Sequence, residues 1–342
     1  MRIGAKIESY PKPSGMRIVT NFARFPRNWT AANGLRGETT PATTAAEFWR
    51  GRGHETIWLV NCDTTLTLKL GAMKVLAGEV SLIAVDLVLR APTRWRDRIQ
   101  LLLKRHLLTH VDHFIHYFRD LGGYERVFGI RADRSSFTPF KVNLVDRYAV
   151  NRGNDGGDYV LCLGRSMRDF DTFFDAVEQL PYPAAITRPD PALLAQHGGR
   201  FTRDLAKLPG NVRLLDDDGS DESMIRVVRG AKMVVLPVLK ASMVASGIST
   251  ALNAMILGKC VIGSEGPGMS DVFDDEVLIA PPEDAGALAE VIRRAWEDDA
   301  LRSRTAASGF QYATRAGGEP ELYQRIIDQV GVWFSATARR NV

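Results

Sequence analysis

The chain has 342 residues, 45% hydrophobic and 25% charged, the balance of an ordinary globular protein and not of a disordered or fibrous one. Its length exceeds a usual single core and suits two domains. The net charge of +4 conceals an asymmetry: residues 1–150 hold 23 Lys+Arg against 13 Asp+Glu, and residues 151–342 hold 21 against 27, so the first half suits an anionic surface or substrate.

The three cysteines, Cys62, Cys162 and Cys260, show no metal-like spacing and read as buried strand thiols in a reducing compartment. Residues 1–15 are polar, and no run is long enough to span a bilayer, so a cytoplasmic protein is expected.

In chain order, Met16–Thr20 predicts a first strand, followed by a polar stretch containing Arg24, Arg27, Asn28 and Trp29. No GxGxxG follows that strand, which argues against a dinucleotide oxidoreductase, because those glycines let a pyrophosphate approach the backbone. Helices over 43–50 and 64–76 alternate with strands over 56–61 and 80–85, an α/β rhythm. Asp86 stands where the last of these strands runs out, the edge at which open α/β sheets place ligands. It is either a loop-capping aspartate or a functional carboxylate.

Residues 94–108 (RWRDRIQLLLKRHLL) mix Arg94, Arg96, Arg98, Lys104 and Arg105 with Trp95, Ile99, Leu102 and Leu103. Such a segment suits either an anionic bilayer surface or a solvated helix of the α/β layer. The pairs His106/His110 and His113/His116 read as surface and strand residues, not metal ligands. A strand over 113–117, a short helix over 124–128 and a last strand over 137–144 complete the first domain, 1–150. The turn-forming run NRGNDGG, 151–157, is the best linker in the chain.

The second domain opens with the strand Tyr159–Leu163 and the basic turn Gly164-Arg165-Ser166-Met167-Arg168-Asp169, ahead of a helix over 170–179. Strands over 184–187 and 211–215 precede the acidic run Asp216-Asp217-Asp218. Three carboxylates tempt a Mg²⁺ reading, but the segment better suits the start of a helix over 222–229.

Residues 231–271 form one βαβ unit. Met233–Leu236 is an apolar strand closed by Pro237; Ser246-Gly247-Ile248-Ser249-Thr250 precedes a short helix with Ile248, Leu252, Met255 and Ile256 on its apolar pattern, ending at Gly258; Cys260-Val261-Ile262 is the next strand. A glycine-bearing helix start of this kind is a ready anion site, and also an ordinary part of any doubly wound domain. The strand over 277–280, Pro281-Pro282-Glu283-Asp284, a helix over 287–296 and an amphipathic helix over 321–334 follow.

At Ala254-Met255, Gly258-Lys259 and Val261-Ile262, and again at the Pro-Pro-Glu-Asp turn, the chain resembles the C-terminal domain of GT-B glycosyltransferases, in particular the large retaining group 1 family. The resemblance covers 158–314 and implies two Rossmann-like α/β domains facing each other across a cleft. It also implies a last helix (318–336) crossing back to the first domain, and no cofactor or metal besides a nucleotide-sugar donor. That family carries two glutamates eight positions apart, and Ala245 and Asn253 stand in their places.

The implied donor residues are Gly164, Arg165 and Arg168 at the diphosphate, with Ser246, Gly247, Ile248, Ser249 and Thr250 completing the cradle. Lys240 would add charge, and Asn253 and Asp271 would bind ribose or sugar hydroxyls. Asp86 would act as a base or acceptor ligand. The expected activity is transfer of a sugar to a saccharide or lipid-linked acceptor in polysaccharide biosynthesis, with residues 94–108 at the inner face of a membrane. The alternatives are a non-catalytic nucleotide-sugar-binding partner of another transferase and a sugar-nucleotide epimerase. A nucleic-acid partner is disfavoured because the basic half lacks a paired-aromatic stacking platform.

Overall fold

A computed structural model describes residues 15–78, 80–92, 95–145 and 157–340. The chain forms two compact units, one of residues 1–87, 106–114 and 327–342, the other of 88–105 and 115–326. The expected boundary at 151–157 does not separate them, and residues 151–156 and Arg94 lie outside the described residues.

In the first unit, β1 (Met16–Thr20), β2 (Asn28–Thr30), β3 (Arg36–Pro41), β4 (Thr56–Asn61) and β5 (Val80–Val85) lie in the order β2-β3-β1-β4-β5, with β6 (His113–His116) next to β5. Every pairing within β3-β1-β4-β5 is parallel, and β2 runs antiparallel to β3. The central strands are apolar on both faces, as a covered parallel sheet requires: Ile57, Trp58, Leu59 and Val60 of β4 are all buried.

β2 and β3 were not foreseen. β3 (RGETTP) has no apolar alternation to read, and it is held by hydrogen bonding on both sides, with Trp29 of β2 lying over Gly37 where any Cβ would strike its ring. Between the strands, α1 (Ala45–Arg50) starts at a capping box of Thr44 and Glu47, and α2 (Thr64–Lys74) at Asp63. α3 (Trp95–Leu108) comes next in the chain, its residues 95–105 belonging to the second unit and 106–108 to the first.

The second unit contains α4 (Gly122–Phe128), β7 (Ser135–Phe137) and a six-stranded, wholly parallel sheet: β8 (Tyr159–Cys162), β9 (Ala184–Thr187), β10 (Val212–Leu215), β11 (Ala231–Leu236), β12 (Cys260–Ser264) and β13 (Leu278–Ala280). Their order is β10-β9-β8-β11-β12-β13. Connections run outward in opposite directions from the β8/β11 pair, so a crevice opens at the carboxyl ends of those two strands.

The helices are α5 (Phe170–Val177), α6 (Pro191–Gln196), α7 (Asp221–Arg229), α8 (Ile248–Ile256), α9 (Ala285–Glu297), α10 (Asp299–Ala316) and α11 (Glu319–Arg340). One face of the sheet packs Val160, Cys162, Val235 and Ile262 against Phe173 of α5 and Ile292 of α9. α8 is mostly apolar, with Ile248 and residues 251–256 buried.

The strand expected over 137–144 is a correction: β7 ends at Phe137, and the chain beyond is irregular, with Val142 N–H donating to Gly317 O at 2.8 Å. α10 was not foreseen either, because its buried residues include only the small Thr305, Gly309, Ala313 and Ala316. A Cβ at Gly309 would come within 2.9 Å of Met255, so smallness is what lets this helix approach α8. The second half of α11 belongs to the first unit, where Ala32 N–H donates to Asp328 Oδ1 at 2.8 Å and Asn33 Nδ2 to Gly331 O at 2.9 Å.

Phe173 is completely buried at the centre of the second unit's core. Replacing it by alanine is expected to destabilise that unit by about 3–5 kcal/mol, read as a lower urea midpoint in far-UV circular dichroism.

Candidate functional site

β8 ends at Cys162, and the chain turns at Gly164, whose φ of 101° is left-handed. It then passes Met167 (φ 49°) and brings Arg168 back beneath the turn. Arg168 N–H and Asp169 N–H point to Arg165 O and Pro237 O, and Arg168 O accepts from Arg200 N–H at 2.7 Å, which ties the turn to β11 and to the 197–200 loop.

These constraints force the Arg168 side chain inward, where it is 1% exposed. Its Nη1 donates to Pro237 O at 3.3 Å, its Nε has no partner, and no carboxylate pairs with it among the described residues. Asp169 is unavailable: its carboxylate accepts two bonds from Arg200 and caps α5 at Thr172 N–H. Burial therefore works against the charge of Arg168 and lowers its pKa, opposed by the neighbouring Cys162. A buried, uncompensated guanidinium is costly, so this position is one that an anion would stabilise.

Two glycines flank that guanidinium. A Cβ at Gly164 would lie 2.7 Å from Arg168 Nη2, and one at Gly247 2.9 Å from the same atom. Gly247 has φ 92° and is the N-cap of α8, with no side chain accepting from the helix's first turn. The positive end of α8 and the buried guanidinium thus converge on one bare stretch of backbone.

A cavity of about 480 Å³ opens at the carboxyl ends of β8, β9 and β10, lined by Gly164, Arg165, Arg188, Asp190, Ser220 and Thr250 among others. Arg165 is exposed at its wall. A second cavity, of about 460 Å³, lies beyond β11 and β12 and includes Lys240, Ser242, Ser264, Glu265 and Met269. Of the expected residues, Gly164, Arg168 and Gly247 are brought together, Arg165 and Thr250 share the first cavity, and Lys240 lines the second.

The remaining expected residues have other work. Ser246 is buried with its Oγ 3.0 Å from Ser242 Oγ, and the Ile248 side chain is in the core. Ser249 Oγ accepts from Asn143 Nδ2 at 2.7 Å. Asn253 has a buried Oδ1 that accepts from Asn143 N–H at 3.0 Å, so the amide anchors the 140s segment to α8. The Asp271 carboxylate accepts from the N–H groups of Arg119 (2.6 Å), Asp120 (2.7 Å) and Gly268 (2.6 Å) and fastens two loops. Asp217 and Asp218 of the acidic run accept from Gly219 and Ser220 N–H, as turn formers do. Sequence reasoning missed Arg188, Asp190, Ser220 and Glu265. The signal available for them was position: Arg188 and Glu265 directly follow parallel strands.

In the first unit, Asp86 follows β5 with φ 48°, and Cys62 follows β4 with φ 54°. These are adjacent parallel strands, and the Cys62 thiol donates to Asp86 Oδ2 at 3.4 Å. Left-handed backbone at two neighbouring non-glycine residues stores strain at one sheet edge. Burial raises the Asp86 pKa to about 6, and the thiol bond draws it back only in part. Desolvation and the Asp86 charge raise the Cys62 pKa. The expectation that Cys62 is a buried strand thiol is corrected: it is an exposed residue just past the strand, while Cys162 and Cys260 are buried as expected.

Residues 203–312 match the family model described as Glycosyl transferases group 1. No curated protein matches the chain. Among solved structures, the chain is similar to a sucrose-phosphate synthase of Thermosynechococcus elongatus, with a TM-score of 0.60 at 17% identity over 94% of this chain and 89% of that one. It is similar to HepE of Anabaena solved with UDP-glucose, with a TM-score of 0.60 at 12% identity over 93% of this chain and 100% of that one. An α,α-trehalose 6-phosphate synthase of Burkholderia multivorans gives a TM-score of 0.61 at 13% identity over 87% and 74% of the two chains. The fold is that of the GT-B glycosyltransferases.

Because the folded-state pKa of Asp86 lies above its ordinary value of 3.8, the native state holds a proton there that the unfolded chain releases. Stability through this group is present below about pH 4 and is lost as pH rises through about 6. Asp86→Asn, which tolerates the left-handed backbone, is expected to flatten the fall in melting temperature between pH 4.5 and 7 and to melt higher than the parent at pH 7.

Proposed function

We propose that this GT-B glycosyltransferase moves a sugar from a nucleoside-diphosphate sugar to a saccharide or lipid-linked acceptor, and that the diphosphate of the donor sits against Arg168 between Gly164 and Gly247. The observation that carries this is the buried guanidinium with no carboxylate partner. Arg165 adds a second cation from the cavity wall, and the N-terminus of α8 adds its backbone N–H groups. As the glycosidic bond breaks, negative charge gathers on the leaving nucleoside diphosphate, and donors already fixed in place stabilise it without reorganising. The two arginines supply the countercharge, so no metal is assigned a role.

The cavity of about 480 Å³ bounded by Arg188, Asp190 and Ser220 has room for a nucleoside beside the diphosphate seat. Lys240 and Glu265 are assigned to the donor sugar. Asp86 is assigned to the acceptor as its proton acceptor or hydroxyl ligand, since a carboxyl titrating near 6 can take up a proton close to neutral pH. Polysaccharide biosynthesis in the cytoplasm is the setting that suits such a reaction.

One observation favours a second possibility. Ala245 and Asn253 occupy the places of the glutamate pair, and the Asn253 amide is engaged in packing, as in a chain that binds a nucleotide sugar without turning it over.

Saturation-transfer NMR against UDP, GDP, ADP, CMP and dTDP sugars separates these. One nucleotide class is expected to bind, and Arg165→Ala to weaken it roughly 10- to 100-fold by removal of a charge-assisted contact, with an unchanged melting temperature. Slow donor hydrolysis in the same sample marks the enzyme, and its absence the non-catalytic partner. Binding that ignores Arg165→Ala, or no binding at all, contradicts the proposed donor site.

A further inference from the structure

α3 carries an unusual outward surface. At about 100° per residue, Trp95, Ile99, Leu102 and Leu103 fall on one side of the helix, and they are 67%, 61%, 70% and 62% exposed. The opposite side faces the protein: Asp97, Leu101 and Lys104 line a cavity of about 550 Å³ with Leu89, Phe128 and Met243. A surface helix of a globular domain normally shows the reverse arrangement, apolar inward and polar outward. Here four large apolar side chains form a row on the solvent side, too contiguous to be scattered surface residues.

Charge frames the row. Arg96 lies along one flank, its guanidinium 5.4 Å from the Trp95 ring centroid, and Arg98 and Arg105 lie along the other. All three are exposed, and none has a carboxylate partner among the described residues. Asp97, the helix's only acidic residue, is on the inward side. An apolar ridge with unpaired cations on both flanks fits a boundary between hydrocarbon and anionic headgroups. Among the described residues no helix is long and apolar enough to cross a membrane, so attachment through this surface would be in-plane.

We infer that the outward face of α3 docks the protein onto an anionic lipid bilayer, with Trp95, Ile99, Leu102 and Leu103 inserted among the acyl chains and Arg96, Arg98 and Arg105 at the phosphates. The inference stands on α3 alone and does not depend on the donor assignment, so the test reads lipid binding and not turnover.

The full chain is floated with vesicles of phosphatidylcholine alone and of phosphatidylcholine with phosphatidylglycerol. The protein is expected to float with the anionic vesicles and to be released as salt is raised. Leu102→Glu with Leu103→Glu is expected to lower partitioning roughly tenfold or more, and Arg96→Ala with Arg98→Ala and Arg105→Ala to do the same. Melting temperatures should be unchanged, because every altered side chain is exposed. Failure to float with anionic vesicles overturns the inference, as does partitioning that ignores both sets of substitutions. A dimer in light scattering that the two glutamates convert to monomer also overturns it, since a second copy would then cover the face.

Discussion

A single buried charge organises the second unit. Arg168 is drawn into the protein by a turn fixed at both ends, and its neighbour Asp169 is already held by Arg200. Burying a guanidinium without a counterion is unfavourable, and the fold accepts this at the place where two left-handed glycines leave the backbone bare. Gly164 and Gly247 keep that position free of side chains, since a Cβ at either would meet the Arg168 guanidinium, and the strand order opens a crevice beside it. The proposed donor diphosphate would supply the countercharge that this arrangement lacks.

The first unit places its strain in the corresponding location. Cys62 and Asp86 end neighbouring parallel strands, both in left-handed backbone, and the thiol–carboxylate bond holds a carboxyl whose pKa burial has raised to about 6. Each unit thus concentrates its electrostatic and backbone cost at the carboxyl end of a parallel sheet, where neighbouring loops and not the sheet provide the contacts.

Much of this was legible in the sequence. Strands apolar on both faces, such as Thr56–Asn61 and Met233–Leu236, are unambiguous because only a covered parallel sheet needs such residues. Gly247 and Gly258 bracket α8 clearly. β3 was not legible, since hydrogen bonding instead of burial holds it. α10 was not, since it packs through Gly309 and Ala313, and small residues leave no apolar stripe. Arg165 and Arg168 could be picked out from a Gly-Arg turn after a strand, but their difference could not: one is exposed at a cavity and the other buried. For Asn253 and Asp271, residue type shows that a group can bind a sugar hydroxyl but does not reveal the backbone N–H groups that donate to it here.

The most direct test of the Arg168 site replaces the charge by an apolar side chain of similar length and follows thermal stability with and without the nucleoside diphosphate that binds the parent. An uncompensated buried charge should make Arg168→Met at least as stable as the parent without ligand, while the ligand should raise the parent's melting temperature and leave that of Arg168→Met unmoved. A variant that is less stable without ligand and yet gains the parent's full rise on binding would show that the guanidinium serves the fold and that the diphosphate lies elsewhere.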